Sequence, residues 1–561
     1  TGKLVQENIP TRGFMSAKDN SLNFGVGKDS IIDSIQVIWP QGKYQTIKNV
    51  KANQVLQLSY SDASGNYFAE KDRESTPNFY TSSGNLNFVH KEYTTLDFDR
   101  NPLIPFAYSN EGPSISVGDI NNDGLDDIFI SGGKKQASKL YLQDAEGNFK
   151  EHQNDIFEED AINEDTSHVF ADIDKDGDLD LVVVSGGNEF TTGKPLQPRL
   201  YRNNGGRLLK ENTLTQIEVN ASKIDAVDFD NDGDLCIASN AVPTQFGAKA
   251  IQYLLENDGT GSFKEVTNSF APELQDVGNI KDFVWKDIDG NGFLDLIVAG
   301  HWTPVTIFLN NGKQLSSQKN NGLSNTNGWW NTIELADLDN DGDLDILAGN
   351  WGLNTKFSAS LEKPLTLYIN DFDNNGSIET VVTHFHGDRE TAFASKDELA
   401  KQMPFLNKKF LFYKDFAKAS LEELFGKNKL EEAIKRKVYT LNTSYFKNDG
   451  SNNFTEKQLP HLVQSSTVND IYLAKNNKEK INEILMVGNN FEISTQLGRL
   501  DASHGFLLKN DDQGNVSWKQ NLGISGAARK IEKIVIDGKE AFIITMNNDA
   551  PTFLVKKQND K

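Results

Sequence analysis

Asp119-Ile120-Asn121-Asn122-Asp123-Gly124-Leu125-Asp126-Asp127, with the apolar run Ile128-Phe129-Ile130 behind it, decides the fold, because the pattern returns five more times. The second copy sets Asp172, Asp174, Asp176 and Asp180 at positions 1, 3, 5 and 9. The third sets Asp228, Asp230, Asp232 and Cys236 there, and the fourth Asp287, Asp289, Asn291 and Asp295. The fifth sets Asp337, Asp339, Asp341 and Asp345, and the sixth Asp371, Asp373, Asn375 and Glu379. Position 6 is glycine in every copy. Oxygen side chains at 1, 3 and 5 converge on one point, the glycine permits the sharp turn, and a carbonyl at 7 with a carboxylate at 9 completes a shell. That donor set suits Ca²⁺, which takes six to eight oxygens in irregular geometry, better than Mg²⁺.

An EF-hand would need a glutamate at position 12 and flanking helices. Here position 12 is Ile130, Val183, Ser239, Val298, Ala348 and Val382, and the flanks read as short β-strands bounded by glycine. Each loop is therefore expected to join two strands of a hairpin and to clip it with one ion. The third copy departs from the rest, because a thiol at Cys236 is a poor ligand for a hard cation. Five to six Ca²⁺ ions are expected, with the Asp228 loop the weakest or empty.

A second hairpin follows most loops, as in Lys139–His152 and Arg199–Glu211. Four antiparallel strands in units of about 50–60 residues are the signature of a propeller blade. Eight candidate first hairpins stand against seven second hairpins, and the sixth loop follows the fifth too closely for a full blade. The expected fold is all-β: a propeller of seven blades, with eight as the alternative, over residues 85–561. Residues near Phe88–Glu92 are expected to close the ring against the last blade. Residues 395–437 break the strand pattern. Ser395 with Glu398 and Ser420 with Glu423 fit capping boxes, and Gly426 fits a helix C-cap, which implies a helical insertion packing its apolar residues on the propeller. Residues 1–61 read as a small β module: Ile35, Val37 and Trp39 alternate on one face, the chain turns at Pro40-Gln41-Gly42, and Asn53–Tyr60 reads as another strand. Residues 62–84 read as a linker.

The chain holds 561 residues, with 80 Asp+Glu against 57 Lys+Arg, a net charge of −23. That balance excludes nucleic acid, whose binding depends on cationic side chains releasing counterions. One cysteine excludes an intrachain disulfide. No apolar run approaches the length of a membrane span. Twenty carboxylates sit at the loops' ligand positions, and six Ca²⁺ ions would bring −23 to −11, so much of the acidity is local and metal-directed. The chain starts at Thr1 without a methionine, so an N-terminal part is expected to precede it, carrying any signal or lipid anchor.

The acidic loops, with Asp176–Gly187, Asp341–Asn350 and their hairpins, resemble FG-GAP/VCBS repeats, the calcium-bearing propeller repeats of integrin α chains and many bacterial surface proteins. The stretch from Arg12 to Leu58 resembles the ASPIC/UnbV module that accompanies such repeats in cartilage acidic protein and large bacterial surface proteins. The resemblance implies an extracellular or cell-surface protein, often outer-membrane-associated in a bacterium.

If the acidic loops are A–B turns, a ligand face lies opposite them. His301 and Trp302 fall in the fourth B–C turn, Trp351 in the fifth, and Trp329 and Trp330 just before the fifth blade, so they are expected to gather on that face. Stacked indoles with polar neighbours suit a sugar or a peptide, unless they only fill the gap between blades. The leading expectation is a calcium-stabilised binding protein recognising a glycan, a peptide or an envelope protein, as an accessory of an outer-membrane uptake complex. The alternatives are a polysaccharide lyase or hydrolase, for which His301, His384 and His386 are the available bases, and a structural adhesion module. No catalytic residue is assigned.

Overall fold

The computed structural model describes residues 4–17, 19–67, 79–82, 86–94, 97–227 and 233–556. The chain divides into two compact units, Thr1–Asn78 and Phe79–Lys561.

In the first unit Ile31–Ile38 and Lys43–Lys51 form an antiparallel hairpin, with Ile35 facing Ile47 and Val37 facing Gln45. Ile35, Val37 and Trp39 are half-buried on one side while Gln36 and Ile38 are exposed, the alternation the sequence carries. The Pro40-Gln41-Gly42 turn closes with Gly42 N–H on the Trp39 carbonyl at 2.8 Å, and Gly42 has φ 80°, which its missing Cβ allows. The expected strand at Asn53–Tyr60 does not form. Val55 is fully exposed and gives that stretch nothing to bury, and the third strand is Gly65–Asn66, inside the stretch read as a linker.

The second unit is a ring of seven four-stranded antiparallel sheets. Their first strands, Ile115–Gly118, Asp165–Ala171, Ala221–Val227, Asn279–Lys286, Thr332–Ala336, Val468–Lys475 and Ala527–Ile536, lie side by side in one closed cycle around the axis. The second strands are apolar on both faces, as in Leu181–Val184, because neighbouring blades sandwich them. Blade 7 takes its outer strand from the start of the unit: Phe79–Ser82 pairs antiparallel with Thr552–Lys556. The closing strand thus lies N-terminal to the expected Phe88–Glu92, again inside the stretch read as linker. Phe88–Glu92 does meet blade 7, through His90 N–H to the Asp549 carbonyl (3.0 Å) and Glu92 N–H to Asn548 Oδ1 (2.8 Å).

The surplus hairpin is explained by blade 5. Its second strand Asp345–Gly349 pairs with Ser444–Asn448, and everything between is inserted in the B–C turn. The insertion starts well before residue 395. It holds its own four-stranded sheet, in the order Arg389–Ala392, Glu379–His386, Leu365–Asn370, Ile434–Val438, and so it contains the sixth acidic loop. Both capping boxes form, at Ser395–Glu398 and Ser420–Glu423, and Gly426 ends its helix with φ 86°. The helices bury Leu399, Met403, Leu421, Leu424 and Phe425 against Phe372 and Val381 of the inserted sheet, not against a blade.

Candidate metal loops

Each of the five described loops folds around its own first acid. Asp119 Oδ1 accepts the N–H of Asp123 (3.0 Å) and its Oδ2 that of Gly124 (2.7 Å). Asp172, Asp287, Asp337 and Asp371 make the same two contacts with positions 5 and 6 of their loops. The turn needs left-handed backbone at positions 4 and 6. Asn122, Lys175, Gly290, Asn340 and Asn374 supply the first at φ 57–73°, and glycines supply the second at φ 84–100°. The turn aims carboxylates at a common point. Asp172, Asp174 and Asp176 bring ligand atoms within 4.8 Å of one another, as do Asp287, Asp289 and Asp295; Asp337, Asp339 and Asp341; and Asp371, Asp373 and Glu379. In the first loop Asn121 stands among Asp119, Asp123 and Asp127, and its amide reaches Asp123 Oδ2 at 3.0 Å.

The ninth residue does a second job. Asp127 is fully buried and accepts the N–H of Ile120 (3.0 Å) and of Gln143 (2.9 Å). Asp180, Asp295 and Asp345 repeat this with Ile173 and Asn203, Ile288 and Asn310, and Leu338 and Asn448. The carboxylate thus pins its loop to the blade's third strand. The asparagines there were missed in the sequence, although they recur at one place in the second hairpins of blades 2 to 6. Asn203 Nδ2 donates to the Ile120 carbonyl in the loop one blade earlier (2.7 Å), and Asn510 does the same to Leu338 (2.7 Å). Burial, only partly opposed by these N–H donors, lifts Asp127, Asp180 and Asp345 to about 6 and Glu379 to about 7. A divalent cation in the loop supplies the charge that would hold them ionised.

Two loops pair a basic side chain with their ligand carboxylates. Arg202 Nη1 lies 3.1 Å from Asp174 and 3.2 Å from Asp180, and Lys447, at the matching place in blade 5, pairs with Asp339 and Asp341. These are the two loops with four carboxylates at ligand positions, while the first, fourth and sixth have three. Lys429 stands beside the sixth loop, its Nζ donating to the Asp371 carbonyl at 2.6 Å, so each described loop keeps an excess of negative charge on side chains that offer oxygen donors alone. That set fits a hard divalent cation.

The third loop is shorter than its sequence suggests. Asp228, Asp230 and Asp232 lie outside the described residues, but both flanking strands are described. Val227 pairs with Asp234, where Ala171 pairs with Asp180 in blade 2. Asp234 is fully buried and its Oδ1 accepts the Asn257 N–H at 2.9 Å, the contact that position 9 makes elsewhere. The carboxylate in register is therefore Asp234, and two residues are missing from the loop. Cys236 sits two places further on, buried among Leu254, Phe283 and Leu296, where it packs as a small apolar side chain.

The expected aromatic face is interior. His301, Trp302, Trp329, Trp330 and Trp351 are all at most 4% exposed. Trp330 fills the wedge between blades 4 and 5 and donates its indole N–H to the Thr326 carbonyl at 2.8 Å. Trp302, Trp329, Trp351 and His301 gather, but under a cover. Phe106, from the segment leading into blade 1, lies 5.1–5.2 Å from the rings of Trp329, Trp351 and His301, and the insertion adds Phe357, Leu365 and Leu367. Phe106 also bridges to Ile493 of blade 6. A sequence pattern places these indoles on a face but cannot show that face being capped by remote segments. Burial drops His301 to about 3, so it is a neutral, sealed imidazole and no base for a substrate outside. His384 is half-buried and also lowered by burial, with its ring 5.6 Å from Phe357.

Comparison with known proteins matches the family described as "ASPIC and UnbV" at residues 1–65 and the "FG-GAP-like repeat" family at residues 119–183 and 287–348. The repeat matches take in the first, second, fourth and fifth acidic loops. No curated protein sequence matches the chain. Among solved structures, an Agrocybe aegerita lectin described as recognising non-reducing terminal N-acetylglucosamine matches at 14% identity and TM-score 0.38, over 74% of this chain and 82% of that one. YCF48 from Cyanidioschyzon merolae matches at 8% and 0.39, over 81% and 98%. BBS1N in complex with ARL6DN matches at 10% and 0.38, over 81% and 96%.

Proposed function

The chain is an FG-GAP-repeat β-propeller protein with an N-terminal ASPIC/UnbV domain, and from that premise we infer a calcium-stapled binding protein of the cell exterior, outer-membrane-associated, recognising a glycan, a peptide or another envelope protein. One observation carries the calcium reading: five described loops turn alike around their first acid, and four of them gather three carboxylates within 4.8 Å. Ca²⁺ would be held by positions 1, 3, 5 and 9 of each loop. When bound it supplies the positive charge that keeps the blade's inner hairpin and third strand together.

Binding at the surface is supported by the insertion. Leu411-Phe412-Tyr413 is the most exposed run of large apolar side chains in the propeller unit, at 62–77% exposure, and Tyr413 is steadied by its hydroxyl on Asp397 (2.9 Å). Among the described residues no helix is long and apolar enough to cross a membrane.

Thermal unfolding in chelator, then with Ca²⁺ or Mg²⁺ restored, tests the metal half. The expected result is a large fall in the midpoint, recovered by Ca²⁺ and poorly by Mg²⁺; at a hundredfold excess over Kd each filled site contributes about 2.7 kcal/mol. A midpoint indifferent to chelator would end this reading. Pull-down from native envelopes, with Leu411→Ala/Phe412→Ala as the control, tests the binding half, and capture unchanged by the control would remove the insertion tip from it.

A further inference from the structure

The helical part of the insertion reverses the charge of the chain. Residues 401–418 carry five lysines, Lys401, Lys408, Lys409, Lys414 and Lys418, against one acid, Asp415, a net +4 in a chain of −23. The wider stretch 395–437 keeps that balance, with eleven basic side chains against seven acidic. All five lysines are exposed, and none is ion-paired among the described residues. Lys363 and Lys427, elsewhere in the insertion, do pair, with Asp388 and Glu431. The acids nearest the tip are already engaged. Asp397 accepts the Tyr413 hydroxyl, and Glu398 and Glu423 close the two capping boxes.

Between the lysines the apolar side chains divide into an inner and an outer set. Phe410 and Phe416 pack on the core of the insertion, their rings 6.0 Å apart and edge to face. Leu411, Phe412 and Tyr413 stand outside it at 77%, 62% and 62% exposure. Their backbone is held. Phe410 N–H donates to the Leu406 carbonyl (2.9 Å), Phe416 N–H to that of Phe412 (3.3 Å) and Ala417 N–H to that of Tyr413 (2.8 Å). An ordered turn therefore presents three large apolar side chains on a protrusion. Exposed apolar clusters rimmed by charge mark contact with a protein or a membrane. A protein would have to bring a pocket to such a protrusion, whereas the boundary between headgroups and acyl chains accepts it as it is. The cations agree. All five in residues 401–418 are lysines, flexible point charges suited to a field of headgroups. No arginine is among them, whose planar fork would mark one carboxylate or phosphate held in fixed geometry. Lys414 Nζ lies 5.4 Å from the Phe412 ring centre, and lysine stems allow the apolar groups to sink while the ammonium stays in water. Screening beyond about 8 Å at physiological ionic strength keeps the acidity of the rest of the chain from cancelling this patch.

We propose that the insertion tip seats the protein on a bilayer presenting anionic headgroups. Leu411, Phe412 and Tyr413 enter the headgroup–acyl boundary, and the lysines lie at the phosphates, where each basic side chain adds attraction. This rests on the surface-binding reading of the tip and gives its partner a chemistry.

The test is sedimentation of calcium-loaded, desalted full chain with vesicles of equimolar phosphatidylglycerol and phosphatidylcholine, against phosphatidylcholine alone. Desalting removes free Ca²⁺ that could bridge acidic loops to lipid. The expected result is at least tenfold stronger partition to the mixed vesicles, weakened by salt, with at least a tenfold loss in Leu411→Ala/Phe412→Ala. Lys408→Gln/Lys409→Gln/Lys414→Gln should lose the preference for phosphatidylglycerol. Phe412→Trp should still bind and add fluorescence that brominated acyl chains quench, which adsorption by charge alone would not give. The replaced side chains are exposed, so urea midpoints and bound calcium, measured alongside, are expected to match the parent. No partition to the mixed vesicles, or partition untouched by the alanine pair, would overturn the proposal. Envelope capture that needs the tip while vesicles stay bare would also overturn it, and would leave the surface-binding reading standing with a protein or glycan as partner. A tip-dependent dimer without vesicle binding would overturn it in favour of a second copy of the chain.

Discussion

Replacing Cys236 by aspartate separates two ways of aligning the third loop. If Cys236 held the ninth ligand position, the aspartate would complete a shell and add a bound calcium. The register says otherwise: Asp234 already occupies that position, and residue 236 points into a wall of Leu254, Phe283 and Leu296. A carboxylate there would meet the Trp285 indole N–H, but no cation, and its cross-strand partner is Asp225, a like charge. An uncompensated buried charge costs about 3–5 kcal/mol, less whatever is recovered by taking up a proton. Cys236→Val is the control for volume, since Val182 fills the matching place in blade 2, and is expected to cost under about 1.5 kcal/mol. Asp234→Ala, which strands the Asn257 N–H, is expected to cost about 1–3 kcal/mol. Urea denaturation in excess calcium gives the energies, and elemental analysis of the dialysed protein gives calcium per chain. A Cys236→Asp protein that gains one calcium and keeps its midpoint would refute the alignment.

Three further outcomes are expected. Trp330→Ala should lower stability by about 3–5 kcal/mol through the hole left between blades 4 and 5, and a near-neutral midpoint would contradict its interior placement. Arg202→Met and Lys447→Met leave net −4 at their loops, so each should tighten one calcium site by about tenfold and weaken the metal-free protein; unchanged affinity by titration would show that the basic side chain leaves the loop when metal binds. Glu334 binds its proton more tightly folded than unfolded, facing Lys223, Lys530, Asp282 and Asp470. Its contribution is therefore full below the ordinary glutamate range and is lost as pH rises to about 8. Glu334→Gln should match the parent near pH 4.5 and exceed it near pH 9, and parallel stability–pH curves would remove the assignment.

The repeats made the ring legible. A loop that must turn sharply around its own first acid leaves Asp, Asn and Gly at fixed offsets, and two-sided burial leaves an unbroken apolar run behind it, as in Leu181–Val184. The small β hairpin and the two capping boxes were readable for the same reason: the signal is local. What failed was decided by distant chain. The sixth loop looks like a blade hairpin, but its partners Arg389–Ala392 and Ile434–Val438 make it part of an inserted sheet. The Trp302–Trp329–Trp351 group looks like a ligand face, but Phe106 and Phe357 arrive from elsewhere to cover it. Cys236 looked like a ninth ligand because a two-residue deletion is silent until strand register is known. The acids on the propeller axis escaped notice because Asp225, Glu334 and Glu532 sit singly in ordinary strands and line one cavity only once the ring closes.

The shared seventh blade has a consequence in time. Ser82 pairs with Phe553, 471 residues later, so an edge strand made near the start of the propeller waits for nearly the last hairpin to be synthesised. Six blades can fold as they emerge, each mostly from neighbours in sequence, but the ring is a broken circle until Thr552–Lys556 arrives. Through that interval Phe79–Ser82 and the flank of blade 1 are unpaired edges, the kind that seek strands on other chains. Premature termination just short of residue 552 is thus predicted to yield a sticky open arc, not a slightly smaller propeller.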